Sequence, residues 1–429
     1  MANPEIISEH FSSRHWCRLC NSKALELALP IAPSPIADAY IPASRLGIPQ
    51  ELYPLDLYLC KDCGHIQNID IVNPELLFRD YLYTTSSSSG LVAHFKKYAA
   101  DIVVGFAVEP GSLIVEIGSN DGSLLRSFKE YGLQVLGIDP ALTIAERATA
   151  SGIETLPDFF TASLASKIRE ERGHATIIAA NNVFAHSDNL ADIVRGVRNL
   201  LADDGVFVFE VSYLVDIVDE YLFDTVYHEH LSYHSIGPLD LFLERLGMQL
   251  FDVQRISSKG GSIRGFAQRS PIGKRTKQAA IGQMIEAERQ RGFYQIGLYQ
   301  AYSKRISERR DALNHFLEER LCEGKLIWGY GASTTATTLI WDFCLTRKLG
   351  CILDDNPAKH GLYSPASHIP VIPSEEIYIR RPDYIVILAW QYATPIIQRH
   401  QKYLEEGGCF VVPLPELHII RADQSFHVN

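Results

Sequence analysis

The stretch from Leu113 to Pro140, LIVEIGSNDGSLLRSFKEYGLQVLGIDP, constrains the fold more tightly than any other part of the sequence. The apolar run Leu113–Val115 has strand character, and Glu116, Gly118 and Gly122 carry it through a tight turn into a helical pattern. A second apolar run, Val135–Ile138, ends in Asp139. The glycines let the backbone bend sharply and approach a ligand, and the acid is spaced to hold a ribose hydroxyl. Asn120 and Asp121 stand inside the turn, so this is not the phosphate-cradling G-x-G-x-x-G. A carboxylate there repels a pyrophosphate and suits a cationic ligand without phosphates. S-adenosylmethionine, an adenosine with an amino-acid tail and a sulfonium charge, is such a ligand. A turn without ligand, or a divergent nucleotide site, is the plainer alternative.

A length of 429 residues predicts two to three domains. A hydrophobic fraction of 46% and a charged fraction of 21% are ordinary for globular chains with a core. The net charge of −11 argues against a nucleic-acid partner, since no basic excess exists to neutralise phosphates. The first residues, MANPEIISEHFSSRHW, include acids and lack an apolar core, so no signal peptide is expected. No apolar run approaches the roughly 20 residues of a bilayer span. The expectation is a cytoplasmic protein without membrane partners, its oligomeric state open, a monomer included.

Four of the eight cysteines form two C-x2-C pairs, Cys17 with Cys20 and Cys60 with Cys63. Two such pairs offer four thiolates to one tetrahedral Zn2+, and Gly64 lets the chain turn around the metal. Residues 21–59 separate the pairs, a longer interval than the common 15–20 or so. The interval is rich in proline, as befits an irregular segment that needs a staple. Disulfides are disfavoured in a reducing cytoplasm, and neither pair opens a helix after a strand as a redox pair does. Four thiolates leave no open position, which makes the expected zinc structural. His65, beside the knuckle, reads as a surface histidine rather than a fifth ligand.

From about residue 76 to 250 strand and helix patterns alternate. Ala175–Ala180 and Gly205–Glu210 are short apolar runs, and Leu190, Ile193, Val194, Val197, Leu200 and Leu201 fall at helical spacing. Such alternation predicts a parallel, doubly wound sheet with ligands at the carboxyl ends of its strands. Asn181 to His186 directly follow the ATIIAA strand, where cofactor and substrate contacts belong. His186 reads equally as a satisfied loop histidine. Residues 272 to 322 are polar and helical in pattern, a connector. A third unit opens with KLIWGYGASTTATTLI, again strand, glycine turn and helix, and Asp354 and Asp355 follow where an acid would hold a ribose. Taken alone this turn would indicate NAD, although its third glycine is missing.

The segment TVYHEHLSYHS, Thr225 to Ser235, concentrates histidines, tyrosines and a glutamate after the GVFVFE strand. Methyl transfer to carbon usually requires a proton to leave that carbon first. A histidine can take it, while glutamate or tyrosine orients the ring or stabilises charge. Tyr227, Glu229 and His230 are therefore candidates for a base and its supports. Metal binding is a rival use, and a plain polar loop another. Downstream, Ser257–Phe266 joins two glycines to Lys259, Ser262 and Arg264. Ser262 and Arg264 could bind phosphate oxygens, which points to a diphosphate-bearing substrate. A β-hairpin with one charged strand is the alternative.

The paired cysteines, VEIGSNDGSLL, YHEHLSYHS, GGSIR and GYGAS…DDNPAKHG…HIP occur in one order across nearly the whole chain. Together they resemble the nucleotide-sugar C-methyltransferases that make branched deoxysugars. The resemblance implies a zinc-binding domain (1–75), a central S-adenosylmethionine-dependent methyltransferase domain of Rossmann-like α/β fold (76–250), a substrate-binding turn with helical connector (251–322), and a C-terminal Rossmann-like α/β domain (323–429). It implies methylation at C3 of a nucleotide-linked 4-keto-6-deoxysugar, with His230 as base and Tyr227 and Glu229 beside it. By the same resemblance Tyr83 and His186 line the cofactor–substrate region, while the turn and strand ends themselves place Glu116, Gly118, Asn120, Gly122, Asp139 and Asn181 around the donor. The competing readings are an NAD-dependent oxidoreductase and a zinc-ribbon scaffold that binds a nucleotide without chemistry.

Overall fold

The computed structural model describes residues 10–79 and 84–422, and these divide into two compact units. The first takes in the chain up to Glu26, Leu59–Val215 and Leu231–Gln295. The second takes in Leu27–Tyr58, Asp216–His230 and the chain from Ile296 onward. Tyr83 lies outside the described residues.

The first unit is built on a seven-stranded sheet. Its strands are β1 (Leu113–Ile117), β2 (Gln134–Ile138), β3 (Thr155–Leu156), β4 (Ala175–Asn181), β5 (Leu201–Ser212), β6 (Met248–Ile256) and β7 (Ser262–Arg269). Across the sheet the order is β6-β7-β5-β4-β1-β2-β3. Strands β1 to β5 pair in parallel, because helices return the chain between them. Strand β7 runs antiparallel to both β5 and β6, since only a short turn joins it to β6. Every residue of β1 is buried, which explains its continuous apolar run rather than an alternating one.

Helix α1 (Ser89–Gly105) starts where the Ser88 side chain accepts the Leu91 N–H. Its Phe95, Tyr98, Ala99 and Ile102 pack with Leu124, Leu125 and Phe128 of α2 (Ser123–Lys129) against Ile114, Ile177, Ala179, Val206, Val208 and Phe266. Side chains alternate faces along a strand, so Glu116, Asn181, Glu210 and Arg264 continue this apolar face toward one edge of the sheet. Helix α3 (Leu190–Leu200) is capped by Asn189, which accepts the Asp192 N–H, and buries Leu190, Ile193, Val194, Val197 and Leu200. The expected boundary at residue 250 falls inside β6, whose pairing with β7 carries the sheet on to Arg269.

The second unit holds helix α4 (Ile296–Cys322) and strands β8 (Ile327–Tyr330), β9 (Ile352–Asp354), β10 (Val371–Pro373), β11 (Tyr384–Ile387), β12 (Cys409–Val412) and β13 (His418–Ile420). Their order is β10-β9-β8-β11-β12-β13, parallel except for the last pair. Helix α4 buries Tyr299, Tyr302, Ile306, Leu313 and Leu317, a stripe at helical spacing. Among the described residues no helix is long and apolar enough to cross a membrane.

Candidate active site

Cys17, Cys20, Cys60 and Cys63 bring their sulfurs within 4.8 Å of one another in the first unit. Cys17 and Cys63 stand 3.6 Å apart and Cys20 and Cys60 3.5 Å apart. A tetrahedron with metal–sulfur bonds of about 2.3 Å separates its sulfurs by roughly 3.8 Å, so the four thiols fit Zn2+. They are too far apart for disulfides. Gly64 takes a φ of +80° at the turn, and a Cβ there would meet Tyr294 Cδ1 at 2.5 Å. His65 is not a surface residue: it is fully buried, with Nε2 3.3 Å from the Ser232 hydroxyl. Strand Ile66–Asn68 pairs with Ser232–Tyr233 and draws it inside.

The turn after β1 is held by its own backbone partners. Gly118 donates to the Ile138 carbonyl at 2.7 Å, and Asn120 N–H donates to Asp139 Oδ2 at 2.8 Å. The other Asp139 oxygen accepts the Ala141 N–H at 2.9 Å. A carboxylate has about four lone-pair sites, so Asp139 keeps capacity for ribose hydroxyls. The Asn120 amide oxygen accepts the Thr85 N–H at 2.9 Å, and Asp121 accepts the Ser86 N–H at 2.8 Å. The turn's amide and acid therefore anchor the segment that leads into α1.

Both glycines of the turn have a positive φ, and packing also requires their small size. A Cβ on Gly118 would stand 2.2 Å from Val183 Cγ2, and one on Gly122 2.7 Å from Ile153 Cγ2. A valine at Gly118 would collide with the protein itself, whatever the ligand. Glu116 is 2% exposed, and its Oε2 has no hydrogen-bond partner among the described residues. Burial holds its pKa well above the usual carboxylate range, and the nearby Asn181 amide offsets this only in part. An incoming cation would meet this buried carboxyl, so the residues present fit a sulfonium amino acid.

Beyond Asn181 the polar row continues in register, since Asn181 pairs with Glu210 and Glu210 with Arg264. Arg264, expected to grip a diphosphate, is instead 5% exposed and ion-paired with Glu210, its Nε at 2.7 Å and Nη2 at 2.6 Å. Its guanidinium lies 4.2 Å from the Tyr98 ring centroid. His94 Nε2 approaches the second Glu210 oxygen at 2.8 Å. The Ser262 hydroxyl donates to the Ser258 carbonyl at 3.0 Å. Of Lys259, Ser262 and Arg264, only Lys259 is exposed. The sequence hinted at this pairing through two opposite charges on apolar strands, but not at which acid Arg264 would meet. His186 stands on the loop after β4, its ring stacked on Phe78 at 5.7 Å.

The segment around His230 belongs to the second unit as far as His230, and the chain from Leu231 to the first. His230 Nδ1 lies 2.7 Å from the Thr225 carbonyl, which can only accept. Nδ1 therefore carries a proton, and in the neutral ring the lone pair sits on Nε2, the tautomer a base needs. The Tyr227 ring packs 4.2 Å from the His230 ring, centroid to centroid, and Glu229 is buried nearby in sequence. His228 differs: it is 1% exposed, donates from Nε2 to the Tyr53 carbonyl at 3.2 Å, and burial lowers its pKa to about 4. It is a core histidine.

Supports that the sequence did not single out fix this loop. The Thr338 hydroxyl, on helix α5 (Thr334–Asp342), donates to the Val226 carbonyl at 2.7 Å. Trp390 Nε1–H donates to Asp224 at 2.8 Å, and burial raises that carboxyl to about 7. The C-terminal glycine turn is likewise engaged. Asp354 accepts N–H groups from Ala332 at 2.6 Å and Asn356 at 2.8 Å. A Cβ on Gly331 would lie 2.5 Å from Ala389 Cβ.

Three family models match the chain in succession: a zinc binding domain at residues 17–78, a methyltransferase domain at 92–253 and a C-methyltransferase C-terminal domain at 257–415. The C-methyltransferase NovU of Streptomyces niveus is 32% identical over 410 residues, covering 95% of this chain and 97% of the relative. A ubiquinone biosynthesis O-methyltransferase of Burkholderia thailandensis is 25% identical over 162 residues, 34% of this chain and 69% of that protein. Among solved structures, magnesium protoporphyrin IX methyltransferase from Synechocystis PCC 6803 with bound SAH matches 42% of this chain and 84% of its own, at 17% identity and a TM-score of 0.33.

Proposed function

This chain belongs to the C-methyltransferase family, and we propose that its acceptor is a nucleotide-linked 4-keto-6-deoxysugar, methylated at C3. The enzyme is an S-adenosylmethionine-dependent C-methyltransferase with a four-cysteine zinc domain. The oxidoreductase and scaffold readings are thereby set aside. Bound S-adenosylmethionine supplies an electrophilic methyl group. Glu116 and Asn181 would face its cationic amino-acid portion and Asp139 its ribose, around the Gly118–Gly122 turn.

Carbon is a poor nucleophile until a proton leaves it. A ketone beside the reacting carbon makes that proton acidic, and its loss gives an enolate that can attack a methyl group. The proposed base is His230, and the observation that carries this is its tautomer: Nδ1 donates to the Thr225 carbonyl, so in the neutral ring the proton-accepting lone pair sits on Nε2. Tyr227, packed on the imidazole, and Glu229 would orient it or stabilise charge. His186 would line the acceptor side of the donor turn. Lys259, exposed on the hairpin, is the residue of its turn that could meet a phosphate.

The test has two arms. A panel of nucleotide-linked 4-ketosugars incubated with enzyme and donor should yield one product heavier by one methylene, and a panel with no such product would reject the acceptor class. In heavy water without donor, the wild type should exchange the C3 hydrogen. His230→Asn should abolish exchange and lower turnover about 10²–10⁴-fold while donor binding survives. Exchange at the wild-type rate in His230→Asn would move the base elsewhere.

A further inference from the structure

Arg18 lies inside the cysteine knuckle, between Cys17 and Cys20, with its side chain fully buried. A buried guanidinium is costly unless acceptors surround it. Its Nε donates to Asp188 Oδ1 at 3.0 Å, and its Nη1 to the carbonyls of Leu231, at 3.1 Å, and Asn68. Its backbone N–H donates to Gln67 Oε1 at 2.9 Å. None of these acceptors is near it in sequence: Asp188 is 170 positions away and Leu231 is 213.

The acceptors occupy informative places. Asp188 follows His186 by two residues on the loop that leaves β4. Leu231 is the residue after His230. The two stretches are also joined directly, since the N–H groups of Leu231 and Ser232 donate to the Ala185 carbonyl at 2.9 and 3.1 Å. Asn68 N–H donates back to the Leu231 carbonyl at 3.0 Å. One guanidinium thus ties the knuckle to the His186 loop and to the chain leaving His230. A guanidinium can meet these acceptors together because its donors form a rigid planar fork, which an ammonium lacks.

We infer that Arg18 is a positioning residue, through which the zinc-held knuckle sets the placement of the His186 loop and of the chain at Leu231. The zinc domain then has a duty beyond its own folding: it serves as the fixed end of a clamp on two stretches that flank the proposed chemistry. This rests on the reading of His186 and His230 given above. The cysteines fix both sides of Arg18 along the backbone, so metal binding would order the guanidinium together with its ligands.

The test uses full-length enzyme and Arg18→Lys, which retains the charge and loses the fork. Zinc content and donor affinity should stay at wild-type values. Amide hydrogen exchange should quicken at Asn68, Leu231 and Ser232, while Ile178 and Val208 in the central sheet keep their protection. Turnover of the ketosugar found by the screen should fall by roughly 10²-fold with little change in KM, as expected for misplaced groups. Chelation of zinc from the wild type should speed exchange at the same amides. Asp188→Asn, which leaves arginine and cysteines intact, should give a smaller rise at those positions. Unchanged exchange at these amides in Arg18→Lys, a rise spread equally through the central sheet, or loss of zinc would overturn the inference. Normal methyl transfer by His230→Asn would instead overturn the proposed chemistry, while the exchange pattern would still decide the role of Arg18.

Discussion

Two turns in this molecule share one local grammar and do different work. After β1 and after β8 the chain passes from strand through glycines into a helix, and an aspartate at the end of the next strand accepts backbone N–H groups of the turn. Asp139 does so for Asn120 and Asp354 for Ala332. They differ in what stands beside the turn. Behind the first lies Glu116, buried with an oxygen that has no partner among the described residues. At the second, Tyr330 donates to Asp355 at 2.8 Å, and Lys359 bridges Asp38 and the Ala332 carbonyl. A buried polar group without a partner is costly in an empty protein and is repaired by a ligand. The first turn is the proposed donor site, and the second holds its own chain and, through Thr338, the loop of His230.

The largest effect should come from the polar row behind the first turn. Arg264→Ala leaves the Glu210 carboxylate buried without its guanidinium, and should lower stability by about 3–5 kcal/mol, read as a drop in the urea midpoint. An unchanged midpoint with a raised KM for the nucleotide sugar would restore Arg264 to phosphate binding. Next comes the direct contrast between the two aspartates. Asp139→Ala should weaken S-adenosylmethionine binding by roughly 1.5–3 kcal/mol in calorimetry, and Asp354→Ala should not change it. Equal losses in both variants would break the contrast.

A smaller effect should follow from Thr338→Val, which removes one hydroxyl bond worth about 1 kcal/mol. Turnover should fall a few-fold with donor affinity unchanged, and a changed donor affinity would refute the support role. The smallest effect is with pH. Burial lowers His234 to about 4, against about 6.5 in an unfolded chain. The unfolded state binds the proton first, so this contribution is complete above about pH 6.5 and is lost as pH falls toward 4. Glu116, Asp139 and Asp224 are shifted upward and act with the opposite sign. The check is therefore the difference between wild type and His234→Gln, whose urea midpoint should fall less from pH 7 to 6.

The strand–turn–helix runs, the helix over Leu190–Leu200 and the two cysteine pairs were all legible as local patterns. Glu116, Asn181 and Asp139 do stand at the strand ends where the pattern placed them, the end at which a parallel sheet collects its ligands. His65 was misread as a surface residue because a lone histidine carries no signal of burial. The division of YHEHLSYHS between the two units, after His230, was invisible because both halves have the same composition.

Sequence by itself determined what depends on neighbours along the chain: the periodicity of the strands, the caps at Ser88 and Asn189, the conformations that only glycine adopts easily, and four thiolates in two pairs. Tertiary structure alone decided which partner each charged side chain would meet. Arg264 finds Glu210 from 54 positions away, and Arg18 finds Asp188 from 170. The same holds for His230, whose tautomer depends on which atom Nδ1 meets in the folded loop. The physical reason is that backbone preference is local, whereas a buried charge takes whatever acceptor the fold brings within about 3 Å.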